Sequence, residues 1–168
     1  MYSHNGEQHW QNKMLGRGQN MINNDLRRLV DDVLDKGRID ETDVAMLMRD
    51  ILPEGALQRE DIDVLVALDR AVKGSCELWS NWLMAVTVDF AVWMSRPTGI
   101  VTREQAHWLV STLGVGEGPT PTAIRIAFEV VREADSCDEM LMTFAMRHGS
   151  APARVASISM LDRAALVS

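Results

Sequence analysis

Cysteine is scarce in this chain of 168 residues: Cys76 and Cys137 stand far apart. Neither has a CxxC partner, which disfavours both a zinc framework and a disulfide scaffold and fits a reducing compartment. Basic residues are outnumbered, 17 Lys and Arg against 24 Asp and Glu, for a formal net charge of -7. Such a surface repels phosphate backbones, and no run of Lys and Arg marks a local exception, so no nucleic-acid partner is expected. A long uncharged apolar run is also missing. The longest apolar stretch, Leu78 to Met94, contains Asn81 and Asp89. It is barely of bilayer length and reads as a buried core helix rather than a membrane span. Met1 to Asn24 carries no apolar core of signal-peptide length, and a cytoplasmic protein is expected.

What is present is a globular composition, 46% hydrophobic and 24% charged, in a length that suits one domain with a real core. Aromatic content is only 5% and strict alternation is missing, so no segment reads as a strand. Apolar residues recur instead at helical spacing. The stripes are Leu26, Leu29, Val30 and Val33; Val44, Leu47, Met48 and Ile51; Ile62, Leu65, Val66 and Val72; then Trp79, Trp82, Leu83, Val86, Phe90 and Trp93. The fourth is apolar nearly all round and should form the centre of the domain, with Trp82, Val86 and Phe90 nearly inaccessible.

Pro97 and Gly99 end that helix. Thr102 and Gln105 have capping-box spacing ahead of Ala106, Leu109, Val110 and Leu113. The glycine- and proline-rich stretch from Gly114 to Pro121 breaks the chain before a sixth helix facing inward with Ile124, Ala127, Phe128 and Val131. Ser136 and Glu139 have the same capping spacing before Leu141, Phe144 and Ala145, and that helix ends near Gly149. The expected fold is all-α, a layered bundle of about seven helices. A flexible tail over 1–24, with Trp10 in it, precedes a helical domain over 25–149. An extension over 150–168 follows, with Val155, Ile158 and Leu161 spaced for a short helix.

Asp32 to Val44 and Asp50 to Ile62 align with an offset of 18 residues. Each has a helix end, a glycine (Gly37 or Gly55), an apolar anchor (Ile39 or Leu57) and an acidic first turn reaching Asp43 or Asp61. The glycine suits a left-handed helix end and the acids suit the positive end of the next helix. The layout is EF-hand-like but lacks calcium ligands. Leu34 and Leu52 occupy the third loop position and should point inward, Lys36 or Glu54 the fifth, and a short Asp the twelfth. The repeats therefore read as structural turns.

The segments Gly37-Arg-Ile-Asp-Glu-Thr-Asp43 and Gly55-Ala-Leu-Gln-Arg-Glu-Asp61, with a looser third, Thr98-Gly-Ile-Val-Thr-Arg-Glu104 before His107-Trp108-Leu109, resemble the inter-helix turns of the bacterial tellurite-resistance B-like (TerB-like) domains. The resemblance spans roughly Asp25 to Met146. It implies an all-helical fold, a link to stress responses and, in some members, acidic patches that bind metal ions. It carries over no catalytic residue. Lys36-Gly37 and Glu54-Gly55 stand where the family has Asp-Gly, so no metal ligand is carried over either.

Glu104 and His107 have the ExxH spacing of di-iron bundles, but no second ExxH exists. Of the four histidines, His4 and His9 lie in the tail and His148 sits at a helix end. The loop from Gly114 to Pro119 is glycine-rich but lacks the Lys-Ser/Thr of a phosphate-binding loop. Asp89, inside the most apolar helix, could be a functional acid, the end of an ion pair or a polar edge shared with Asn81. The methionines Met46, Met48, Met140, Met142 and Met146 could fill core gaps or form an adaptable binding face. The reading that follows is a non-catalytic helical interaction module with a protein partner, without cofactor or metal. The alternatives are a metal-responsive domain using its acidic turns and an enzyme built on Asp89 and a histidine.

Overall fold

A computed structural model describes residues 24–56 and 58–149. The tail with Trp10, His4 and His9, the anchor Leu57, and the stripe Val155, Ile158 and Leu161 lie outside the described residues. Of the described residues 73% are helical, in seven helices. These are α1 (24–36), α2 (Glu41–Met46, continued by a π-helical turn over Leu47–Ile51), α3 (Arg59–Ala71), α4 (Glu77–Val88, continued by a π-helical turn over Asp89–Met94), α5 (Arg103–Gly114), α6 (Pro121–Glu133) and α7 (139–149). Asn24, assigned to the tail by sequence, is already helical.

Strands do occur, against the sequence expectation, as two parallel two-residue pairs: β1 (Arg38–Ile39) with β2 (Gly74–Ser75), and β3 (Ile100–Val101) with β4 (Ser136–Cys137). They are too short to show alternation. Their hydrogen bonds are the same in both pairs. Lys73 N–H donates to the Gly37 carbonyl (3.1 Å) and Cys76 N–H to that of Ile39 (3.1 Å); Asp135 N–H donates to Gly99 (2.9 Å) and Asp138 N–H to Val101 (3.0 Å).

These pairs expose the true repeat. Arg38–Ile39 recurs at Ile100–Val101, Arg59–Ala71 at Pro121–Glu133 and Gly74–Ser75 at Ser136–Cys137, each time 62 positions later. Unit 1 is α1 to α4 and unit 2 runs from the end of α4 to α7, so α4 serves both. The counterpart of the Gly37 turn is therefore Gly99, the looser of the sequence matches. Both glycines are left-handed, φ 72° and 78°, which only glycine adopts at low cost. Both precede a buried anchor, Ile39 or Val101, and both lead into a capping box, Asp40 with Asp43 and Thr102 with Gln105. The Gly55 turn (φ 81°) has no strand among the described residues. What it shares with Gly37 is helix restart, for Asp61 accepts from the Gln58 N–H (3.1 Å) as Asp43 does from that of Asp40 (2.9 Å).

The core gathers both units. Val33, Val44, Leu47, Ile62, Leu65, Trp79, Leu83, Ala106, Leu109, Leu113, Ile126 and Leu141 are all at most 1% exposed. Each large side chain so buried contributes about 1.5–3 kcal/mol. Among α2 to α6 the most extensive helical contact is α4 against α6, where the hydroxyls of Ser80 and Thr122 share a hydrogen bond of 3.0 Å. Here α6 is rotated from the expected face: Thr122, Ala123, Ile126, Ala127 and Val130 are buried, while Phe128 is 42% exposed and lies against Gly149. The π-helical turns shift the other stripes. A π turn adds a residue to the helical period and moves every later side chain around the axis. In α4 the buried set runs Trp79, Leu83, Val86, Thr87 and then, within the turn, Ala91 and Val92, where Phe90 is half-buried and Trp93 43% exposed; Trp82, expected to be nearly inaccessible, is half-buried ahead of the turn. Thr87 donates its hydroxyl to the Leu83 carbonyl (2.7 Å) just ahead of the turn, a bond that perturbs the helical ladder. In α2 the turn buries Leu52 and exposes Met48. Leu34, expected inside, lies on the outer face of α1 and is exposed. Ser136 belongs to β4, so α7 is capped instead by Asp138, which accepts from the Met140 N–H (3.0 Å).

Candidate functional site

Two polar ties on α3 fix the scaffold. Asp69 accepts from Trp79 Nε1 (2.7 Å) and from the Thr120 hydroxyl (2.6 Å). Asp63 accepts from Trp108 Nε1 (2.9 Å) and the Thr112 hydroxyl (2.7 Å). One carboxylate thus ties α3 to α4 and to the start of α6, and the other ties it to α5. Neither aspartate was singled out by sequence. The i, i+6 spacing on an amphipathic helix facing two tryptophans was the available signal.

On this scaffold α4 and α6 enclose a groove of about 260 Å³. Met84, Ala85, Val88 and Trp93 form its apolar part, and Asp89, Glu129 and Glu133 its polar part. Asp89 and Trp93, four residues apart in the π-helical turn, both line it. Arg132 pairs with Glu129 (2.6 Å) and Glu133 (3.2 Å) from α6 itself, so the two glutamates share one cation. Asn81, one end of the same α4 edge, accepts from Arg125 (2.8 Å). Asp89 is therefore a polar edge residue, as one of the sequence readings had it. The two titratable groups that share its groove are glutamates, while His107 and His148 belong to α5 and α7.

The other sequence candidates are placed apart. Glu104 pairs with Arg59 (3.0 Å) on the surface, and Arg59 lies over the Trp108 ring, 5.3 Å from its centroid. His107 is exposed on α5. The glycine loop joins α5 to α6, with Gly116 and Gly118 at positive φ, and the Leu113 carbonyl beside it accepts from Arg70 (3.1 Å). At the first turn, Lys36 Nζ donates to Asp43 (2.5 Å) and Asp40 (3.0 Å). Its ammonium is held above its ordinary pKa by the bond to Asp43 first, and the Asp40 carboxyl is held below its own by Lys36. The acids of that turn are thus bound to a lysine and to backbone N–H groups. Among the described residues no three of His, Cys, Asp and Glu gather as a metal site, and no helix is long and apolar enough to cross a membrane. Cys76 and Cys137 are half-buried free thiols. Of the surface methionines, Met46, Met48, Met142 and Met146 are exposed, whereas Met84, which sequence did not single out, lines the groove. Comparison with protein-family profiles, with curated proteins and with solved structures gave no significant match.

Proposed function

We propose that this chain is a non-catalytic interaction module whose α4–α6 groove receives a basic amphipathic helix of a partner protein. The observation that supports it most directly is the pairing of an apolar floor, Met84, Val88 and Trp93, with the carboxylates of Asp89, Glu129 and Glu133. An amphipathic helix fills such a groove with its apolar face. Lysines flanking that face meet the carboxylates, which steers encounter and selects against acidic partners. Met84 adapts to varied side chains, and an exposed Trp is the residue type most enriched among dominant interface contacts. The net charge of -7 favours the same partner at long range.

Kinship with the TerB-like domains, and the role in stress responses it implies, belong to the same proposal. The sequence order of its turns, Gly37-Arg-Ile39 ahead of Asp43 and the looser Gly99-Ile-Val101 ahead of Glu104, is what supports it.

The test is titration with a helical peptide of about 18 Leu and Lys residues, long enough to span a groove of this kind. A peptide with Glu in place of Lys is the control. The Lys peptide is expected to bind in the micromolar range, about 8 kcal/mol. Asp89→Lys combined with Glu133→Lys is expected to weaken it at least about tenfold. Equal binding by the double variant, or by the Glu peptide, would overturn the proposal.

A further inference from the structure

The duplication supplies an internal control for a second cavity, one independent of the α4–α6 groove. Between α5 and α7 lies a cavity of about 360 Å³, at the small end of the roughly 300–1,000 Å³ typical of small-molecule sites. Val110, Met140 and Phe144 line its apolar side, and Arg103 and Arg147 flank it together with Asp138 and Glu139. The equivalent position in unit 1 lies between α2 and α4, so each lining residue can be compared with the one 62 positions earlier.

The comparison sorts the charges. Glu139 has Glu77 as its counterpart, and both open a helix, where the dipole favours an acid whatever the site does. Asp138 is the cap of α7. Arg147 stands in the last turn of α7, where the dipole favours a cation; Arg103 has no such account. Arg103 replaces Glu41 and Arg147 replaces Ala85. Arg103 is the first residue of α5, at the positive end of the dipole, where a cation is disfavoured. Neither guanidinium group has a hydrogen bond or ion pair with another described residue. A residue that breaks a local rule without an intramolecular gain points to a gain elsewhere. Two guanidinium groups without a partner among the described residues, beside a phenyl ring and a methionine, fit an anion with an apolar body, because the arginine fork matches carboxylate geometry and the ring and thioether match the rest.

We propose that the α5–α7 cavity binds a small amphipathic carboxylate, its anionic group held by Arg103 and Arg147 and its apolar body packed on Val110, Met140 and Phe144. The probe is 4-phenylbutyrate, titrated into the full chain carrying ¹³C-methyl methionine, with the Met140 signal as readout. The amide and the amine of the same skeleton are the controls; the amine tests whether Asp138 and Glu139 dominate instead. Saturable movement of the Met140 methyl with a Kd of about 1 mM or tighter is expected. The amide and the amine should bind at least about tenfold more weakly, as loss of a charge-assisted pair requires. Arg103→Glu and Arg147→Ala each install the unit 1 residue, which the same backbone carries in α2 and α4. Each should weaken 4-phenylbutyrate at least about tenfold while the circular dichroism and melting temperature stay within about 2 °C of the parent. Equal binding of the amide or the amine, an unmoved Met140 signal at about 10 mM ligand, or parental affinity in a folded arginine variant would each overturn the proposal.

Discussion

Asp69 lies near the end of α3, holding the indole N–H of a fully buried Trp79 at 2.7 Å and the hydroxyl of Thr120 at 2.6 Å. Thr120 in turn accepts from the Ala123 N–H (3.1 Å) as the cap of α6. Truncation to Ala removes both acceptor contacts. The Trp79 N–H is then buried without a partner, at a cost of about 1–3 kcal/mol, and a charge-assisted bond to a half-buried hydroxyl adds about 1 kcal/mol more. Removing an acid from the last turn of a helix returns about 0.5 kcal/mol. Asp69→Ala should therefore destabilise the fold by about 1.5–3.5 kcal/mol, the upper part of the range usual for a single change. Urea unfolding followed by far-UV circular dichroism measures this. Trp79→Phe removes the orphaned donor, so the Asp69→Ala/Trp79→Phe cycle should show a coupling of about 1–2 kcal/mol. Unit 2 has Val131 and Leu141 at the equivalent positions, so this polar tie is not a requirement of the fold itself. A loss below about 0.5 kcal/mol for Asp69→Ala, or additive single effects, would refute the reasoning.

The π turn in α4 makes a ranking. Phe90→Ala, truncating a half-buried ring set edge-on to Trp108 at 5.9 Å, should cost about 1.5–3 kcal/mol, whereas Trp93→Ala should cost less than about 1 kcal/mol; urea unfolding with the order reversed would restore a regular helix there. The Cys137 thiol is pushed up to about 11, by burial first and then by the adjacent Asp138 carboxylate. Its alkylation by iodoacetamide at about pH 8 should be at least about fifty-fold slower than in the urea-unfolded chain and should rise toward about pH 11; a rate near the unfolded one would contradict it. Because the folded pKa is the higher one, the stability this thiol contributes is complete below its ordinary value of 9.0 and is lost as pH rises to about 11.

Helical period was enough to read seven helices from this chain, because each buries one face against the next and the spacing of Val44 and Leu47, or of Leu109 and Leu113, records that directly. What period could not record is a change of period. Trp93 and Met48 were assigned inward on a uniform helical spacing, and each follows or occupies a π turn that rotates it out. Phe128 was assigned inward by its spacing with Ile124, Ala127 and Val131, yet the face that α6 buries is Thr122, Ala123, Ile126, Ala127 and Val130. The repeat was partly legible. Gly37 and Gly55 matched more closely in sequence, while Gly99, the structural equivalent of Gly37, matched loosely, since parallel strand pairing is made by backbone groups and leaves little trace in side chains. Of the groove, Asp89 stood out in sequence as a candidate and Trp93 only as a core residue. Glu129 and Glu133 look like any solvated helix face until α4 is laid beside them.

The central claim is that a basic amphipathic helix docks at Trp93. The chain has five tryptophans, and their indole N–H signals resolve by ¹⁵N NMR. On titration with the Leu–Lys peptide, the Trp93 signal should move saturably while that of Trp79, fully buried and bound to Asp69, stays in place. An unmoved Trp93 signal at saturating peptide, or the same movement with the Leu–Glu peptide, would contradict the account.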